Sequence, residues 1–265
     1  MSSTDPPKKK YDSVPVGICL TSGNNQSNLV VISVMKQLLT FILAALVCTP
    51  AFTQDRYDYK EGDPNGIGKW YMGRQIAHVM SHLGIDWLER EEREKEENTS
   101  QLLKNMDLKP GMMVADIGAG SGYHTALISK MIGNGKVYDV DVEPEMIAFL
   151  NNRIAREQLA NVVTVLGDGK KVPLKANSID LMFLVDVYHE VDHPYEMGRS
   201  MLEALKPGGK LYLIEFRAED QQVPIKAIHK MSEKQAVKEL KAAGFTFDRN
   251  INNLPWQHCL VFVKK

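Results

Sequence analysis

The sequence predicts a Rossmann-like α/β domain: a doubly wound, mostly parallel seven-stranded sheet with an antiparallel C-terminal hairpin, preceded by an N-terminal helical extension. Three observations predict it. From residue 112 onward short β-branched runs alternate with amphipathic segments, the first run ends in a glycine-rich turn, and acidic residues stand at the ends of the following runs. Strands are expected over residues 113–117, 136–140, 162–166, 179–185 and 211–216, separated by helical segments at 123–131, 144–156 and 194–205. Strand, helix, strand in series requires right-handed crossovers and hence parallel pairing with helices on both faces. After Ser232, an N-cap with Gln235 in the capping-box place, a helix runs to residue 243 and Gly244 stops it. The last two strands, near 245–247 and at 259–263, are close enough in sequence to pair as a hairpin at the sheet edge.

Ahead of this domain, apolar residues Ile76, Ala77, Val79, Met80 and Leu83 fit one face of a helix over 70–83. A second, highly charged helix is expected over 87–106, its run from Glu89 to Glu97 forming a solvated face. Together, residues 70–109 read as a lid in which Arg74 and His78 lie one helical turn apart, and 54–69 read as a polar linker. Residues 38–47 are apolar and uncharged, follow Met35-Lys36 and end in Cys-Thr-Pro-Ala-Phe-Thr. That layout makes 35–53 a signal peptide, or a signal anchor contacting the membrane through residues 29–47. The domain is therefore expected in the periplasm or cell envelope, and in the cytoplasm only if this segment does not export it. Residues 1–34 have no apolar periodicity and read as an unstructured, non-native start before Met35.

The chain carries 32 basic and 33 acidic residues, net −1, with 44% hydrophobic residues. This balance excludes wholesale disorder and a general attraction to nucleic acid, and points to a small-molecule partner. Cys19 and Cys48 fall outside the predicted fold, leaving Cys259 without a cysteine partner, which argues against redox or zinc–thiolate chemistry.

The deciding motif is Asp116-Ile-Gly118-Ala119-Gly120-Ser-Gly122 at the end of the first strand, followed by Asp141 at the end of the next. Glycines suit a turn that needs positive φ or close approach of a ligand, and a carboxylate at the second strand end can accept both hydroxyls of a ribose. A dinucleotide fingerprint requires a third glycine where this chain has Tyr123, so an NAD(P)-dependent oxidoreductase is the weaker reading. The pattern resembles motif I of class I S-adenosylmethionine-dependent methyltransferases. The resemblance continues through Gly135 to Asp141, Gly167-Asp168, Leu184 to His189 and Leu205 to Gly209 in the family's order.

That resemblance implies S-adenosylmethionine as cofactor. It places Gly118, Ala119, Gly120 and Gly122 beside the methionine part, with Asp116 near its amino group, and Asp141 with Val142 at the ribose. Asp168 with Gly169 would meet the adenine amino group, and Asp186 with Val187 would lie beside the methionine moiety. Asp139 shares a face with Asp141 by alternation and competes with it for the ribose role. Methyl transfer from a sulfonium is an in-line displacement in which a general base is optional. His189 or Glu190 is the candidate base, the alternative being that this cluster caps the helix beginning at Pro194. Tyr188, His193, Glu215, Arg217 and His258 are candidate acceptor-site residues, and His229-Lys230 before the late helix and Trp256 before the last strand could also line that pocket. His189, Asp192 and His193 are metal-ligand types, but they lack cysteine companions and a firm helical spacing, so no metal is expected. The resemblance covers small-molecule enzymes such as those of quinone biosynthesis. An arsenite enzyme would need several active-site cysteines, a protein-L-isoaspartate methyltransferase is an alternative through Gly120 to Ala126, and a non-catalytic cofactor-binding envelope protein is another.

Overall fold

The computed structural model describes residues 56–265. The expected non-native start at 1–34, the signal segment at 35–53 and its membrane contact through 29–47 lie outside the described residues.

The main sheet has the order β6-β5-β4-β7-β8-β10-β9. Its strands are β4 (Met113–Ile117), β5 (Lys136–Asp141), β6 (Val162–Leu166), β7 (Ile179–Val185), β8 (Leu205–Phe216), β9 (Thr246–Asn250) and β10 (Gln257–Val263). β4 to β8 pair in parallel, while β10 runs antiparallel to both β8 and β9, so the expected seven strands and terminal hairpin are present. Helices α4 (Tyr123–Ile132), α5 (Pro144–Glu157), α6 (Pro194–Ala204) and α7 (Glu233–Ala242) connect β4 to β5, β5 to β6, β7 to β8 and β8 to β9, while β6 passes to β7 without a helix. Because successive side chains on a strand point to opposite faces, each central strand feeds two cores. Met182, Leu184, Leu211, Leu213, Leu260 and Phe262 join Met197, Met201 and Leu240 of α6 and α7 on one face. Leu181, Phe183, Tyr212, Ile214 and Val261 join Ala126 and Ile128 of α4 on the other.

The reversal of strand order between β4 and β7 creates a crevice at their carboxyl ends, where ligands of open α/β sheets bind. Gly118 after β4, Asp141 at the end of β5, Asp186 after β7 and Glu215 near the end of β8 all stand along this edge.

The N-terminal region departs from expectation. In place of a helix over 70–83, β1 (Tyr57–Tyr59), β2 (Gly66–Tyr71) and β3 (Arg74–Ala77) form a three-stranded antiparallel sheet, which also occupies part of the expected linker. Met72 and Gly73 join β2 to β3 with φ of 50° and 98°, the two positive values of a tight hairpin turn. Ile76 and Ala77 are buried whereas Val79, Met80 and Leu83 are exposed, so the five residues share no common face. The charged helix over 87–106 is three short pieces: α1 (Ile85–Leu88), α2 (Arg93–Glu97) and α3 (Thr99–Asn105). Asn98, at φ 56°, ends α2 in a left-handed conformation and caps α3 by accepting from the Gln101 N–H.

Candidate active site

The glycine turn forms because β4 must reverse sharply into α4 against a neighbouring strand end. Gly118 has φ 74°, and a Cβ there would stand 2.5 Å from Val187 Cγ1. Only glycine lets the turn lie this close to the segment after β7. Gly120, at φ 55°, faces Leu88 of α1, and its N–H donates to Asp141 Oδ2 at 2.9 Å. Asp141 Oδ1 accepts from the Glu143 N–H at 3.0 Å. Burial raises the Asp141 pKa, the backbone N–H groups pull the other way, and its oxygens keep lone pairs for further donors.

Behind the turn lies a pair of buried carboxyls. Thr125 Oγ1 is 3.1 Å from Asp116 Oδ2 and 2.5 Å from Asp139 Oδ1. One hydroxyl proton cannot serve both carboxylates, so at least one of the two acids keeps its own proton and donates it back. Burial and the neighbouring Asp139 hold Asp116 well above the usual carboxylate range, and burial lifts Asp139 to about 7. Asp139 is fully buried and its Oδ2 has no partner.

Asp186 adopts φ 54°, uncommon for a non-glycine residue and a mark of a constrained site. Its Oδ2 accepts from Gln257 Nε2 at 2.6 Å, while Oδ1 is buried without a partner. Burial, reinforced by the carboxylates of Glu97 and Glu215, raises its pKa well above the ordinary value.

After Asp186 a single helical turn, Tyr188–Glu190, brings His189 against β8. Glu215 Oε1 accepts from the Tyr188 and His189 N–H groups at 2.7 and 3.3 Å, and Glu215 Oε2 lies 2.7 Å from His189 Nδ1. His189 Nε2 is 3.1 Å from His229 Nδ1 and 3.6 Å from Glu190 Oε1. Burial alone would disfavour an imidazolium at His189, but Glu215 and Glu190 outweigh it and hold the pKa at about 10. From β3, Arg74 donates to the His189 carbonyl at 2.9 Å while forking onto Glu239 of α7.

Residues 80–97 cover this edge. Met80 N–H donates to Glu190 Oε2 at 3.1 Å and His82 N–H to Glu143 Oε2 at 2.7 Å. Glu89 accepts from Ser121 Oγ of the glycine turn and from Arg153 of α5. The run expected to be a solvated face thus turns part of itself inward: Arg93 and Glu97 are buried, joined at 2.8 Å, and the Arg93 guanidinium lies 4.5 Å above the Tyr123 ring.

The methyltransferase-domain family matches residues 108–258, more than half of the chain. The chain belongs to the S-adenosylmethionine-dependent methyltransferases. A solved S-adenosylmethionine-dependent methyltransferase from Aquifex aeolicus is similar at 26% identity and a TM-score of 0.67, covering 71% of this chain and all of that one. A protein-L-isoaspartate O-methyltransferase of Pyrococcus horikoshii is 36% identical over 112 residues, 42% of this chain and 48% of the relative. A ubiquinone/menaquinone biosynthesis C-methyltransferase of Ectopseudomonas mendocina is 33% identical over 111 residues, 41% of this chain and 43% of the relative. The chain spans about half the length of these curated relatives.

The crevice of this methyltransferase fits the family's cofactor on three local observations: the glycine turn that a Cβ would fill, the orphaned buried Oδ1 of Asp186, and the spare lone pairs of Asp141. Asp139, buried behind the turn, does not share the ribose role. Gly118, Gly120, Gly122, Asp116, Asp141, Asp186 and Val187 share this edge; Ala119 is half-buried in the turn and Val142 is exposed beside Asp141. Asp168 is exposed beyond β6. Its Oδ1 is taken by the N–H groups of Lys170 and Lys171, which also hold its pKa low, and Gly169 sits in that turn at φ 76°.

The acceptor-site candidates do not all converge. Glu215 sits behind His189, and the buried Tyr188 ring joins the core on the α6–α7 face. His193 packs edge-on to Tyr57, and Asp192 pairs with Lys69. Arg217 donates to the carbonyls of Leu254, Pro255 and Gln257, and His258 pairs with Glu219. Arg74 and His78 are not a helical pair: Arg74 is on β3 and His78 is exposed beyond it. His229, forty residues from His189 and one of the residues expected to line the acceptor pocket, is brought to 3.1 Å from it by the fold.

Proposed function

We propose that the protein transfers the methyl group of S-adenosylmethionine to a small-molecule acceptor bound at the carboxyl edge of β7 and β8, facing His189, Glu190 and His229. The bound cofactor supplies an already activated methyl group, so the chain's task is alignment, charge placement and exclusion of water. The glycine turn and Asp141 would hold the nucleoside, and Asp186 would set the methionine end beside Val187.

The observation that carries a small acceptor is the cover made by residues 80–97. It is pinned to Glu190, Glu143, Ser121 and Arg153, so the edge is roofed by the protein's own chain. A roof of this kind limits the size of what can reach the edge and would have to move for exchange of ligands. The local likeness to a protein-L-isoaspartate O-methyltransferase supports a second reading, methylation of a polypeptide carboxyl.

Calorimetric titration with S-adenosylmethionine, S-adenosylhomocysteine and NADH tests the first part, with binding of the two adenosyl ligands and none of NADH expected. Incubation of an extract with methyl-labelled cofactor tests the second. Label in the deproteinised fraction supports the small acceptor, and label confined to protein replaces it with the polypeptide reading. We also propose that residues 35–53 export the domain, to be checked by fractionating cells that carry a reporter fused after that segment.

A further inference from the structure

We propose that His189, His229 and Glu190 bind one divalent first-row transition-metal ion at the edge where the acceptor would lie. Its role toward an acceptor rests on the methyltransfer reading, whereas the site itself stands on its own geometry. His189 Nε2, His229 Nδ1 and Glu190 Oε1 are 3.1, 3.6 and 3.8 Å apart pairwise. A tetrahedral ion with bonds of about 2.0–2.2 Å sets its ligand atoms roughly 3.3–3.6 Å apart. The three distances bracket that spacing, and two imidazoles with one carboxylate form a donor set that such ions favour.

Each ligand is also held from behind, which isolated side chains brought together by packing need not be. Glu215, fully buried and fixed by two backbone N–H groups, accepts from His189 Nδ1–H, so Nε2 is the nitrogen that ligates, the ion displacing any proton it carries. This is the carboxylate–histidine arrangement that orients metal ligands elsewhere. Met80 N–H holds Glu190 Oε2, leaving Oε1 turned to the two imidazoles. His229 sits on the turn Ala227–His229 with its side chain 27% exposed, so the fourth position opens on the less buried side, where water or an acceptor oxygen can reach the ion. Charge supports the same reading: two carboxylates, Glu190 and Glu215, flank one buried histidine, and the nearby Arg74 is committed to Glu239.

Among the described residues a second cluster, His82, Glu143 and Glu145, has metal-ligand types in reach of one another. It is more exposed, and its imidazole already pairs with Glu143 at 2.6 Å, so it serves as the control.

The test uses the full-length chain, stripped with a chelator and reloaded with zinc chloride or cobalt chloride. Bound metal is counted by elemental analysis and cobalt coordination is read from visible absorption. The wild type should hold one equivalent, with the intense cobalt bands of a low-coordinate, imidazole-ligated site. Glu190→Gln and His229→Ala should lose it, Glu215→Gln should weaken affinity about 10- to 100-fold, and His82→Ala should keep it. Circular dichroism verifies folding of each variant, and the wild-type cobalt spectrum decides the matter if a variant does not fold. Less than half an equivalent in the wild type, the spectrum of hydrated cobalt, or metal lost only in His82→Ala would overturn the proposal. Calorimetry with S-adenosylhomocysteine on the same samples separates this failure from failure of the cofactor reading.

Discussion

Asp139→Asn should make the ligand-free protein more resistant to rising pH, because burial makes the fold favour the protonated form of Asp139. Its pKa rises from 3.8 to about 7 through burial, with Thr125 and Arg153 pulling down and Asp141 pushing up. A folded-state pKa above the unfolded one means that the native protein binds the proton more tightly. The associated stability is complete below about pH 4 and is lost as pH climbs through about 7. Between pH 5 and pH 8 the native state gives up about two pKa units of this preference, on the order of 3 kcal/mol. Asparagine fills the same volume without a charge, so the variant should not show this loss. Urea unfolding followed by circular dichroism at pH 5, 6, 7 and 8 gives the two curves, and subtracting them cancels every group that titrates alike in both proteins. The wild type should lose about 3 kcal/mol relative to the variant across the range. Parallel curves would refute the shared-proton account of Asp116 and Asp139 and place an ionised carboxylate at full burial.

Asp141→Ala should weaken S-adenosylhomocysteine binding by about 1–3 kcal/mol in calorimetry, since it removes a charged acceptor from the crevice; unchanged affinity would move the ribose site elsewhere. Gly118→Ala should destabilise the protein by about 2–4 kcal/mol in urea unfolding, from left-handed strain plus the clash with Val187. Adding Val187→Ala should restore only the clash. Arg93→Ala should cost about 1.5–3 kcal/mol in the same assay by removing one of the two guanidinium partners of the buried Glu97, and adding Arg90→Ala, which leaves Glu97 without either, should raise the loss to about 3–5 kcal/mol.

The parts of this protein legible in its sequence were those whose determinants are local. The run from Asp116 to Gly122 encodes its own turn, because three glycines with positive φ leave few other conformations. The alternation of β-branched runs with amphipathic segments likewise fixes a parallel sheet through the handedness of its crossovers. The N-terminal segment failed for the same physical reason inverted. Ile76, Ala77, Val79, Met80 and Leu83 satisfy a helical count, yet the Met72-Gly73 turn makes the first two part of a strand and leaves the other three exposed. A period count ignores the hairpin turn, and that turn decides the outcome.

The charged run from Glu89 to Glu97 shows a second limit. Counting charges assigns it to solvent, but Arg93 and Glu97 are buried with Arg90 and Arg93 both paired to Glu97, while Glu89 reaches Ser121 and Arg153 across the glycine turn. The histidine cluster shows the third. Sequence proximity groups His189 with Asp192 and His193, whose partners are elsewhere, whereas the fold brings in His229 from the turn after β8 and Glu215 from within β8. Adjacent residues on an irregular turn diverge in direction, while the carboxyl ends of β7 and β8 converge because the two strands pair in parallel register. The glycine turn of the crevice is therefore written in one contiguous motif, and Asp141 and Asp186 join it from the ends of β5 and β7. The residues around His189 meet only once β8 lies beside β7, and under the proposed function they face the acceptor.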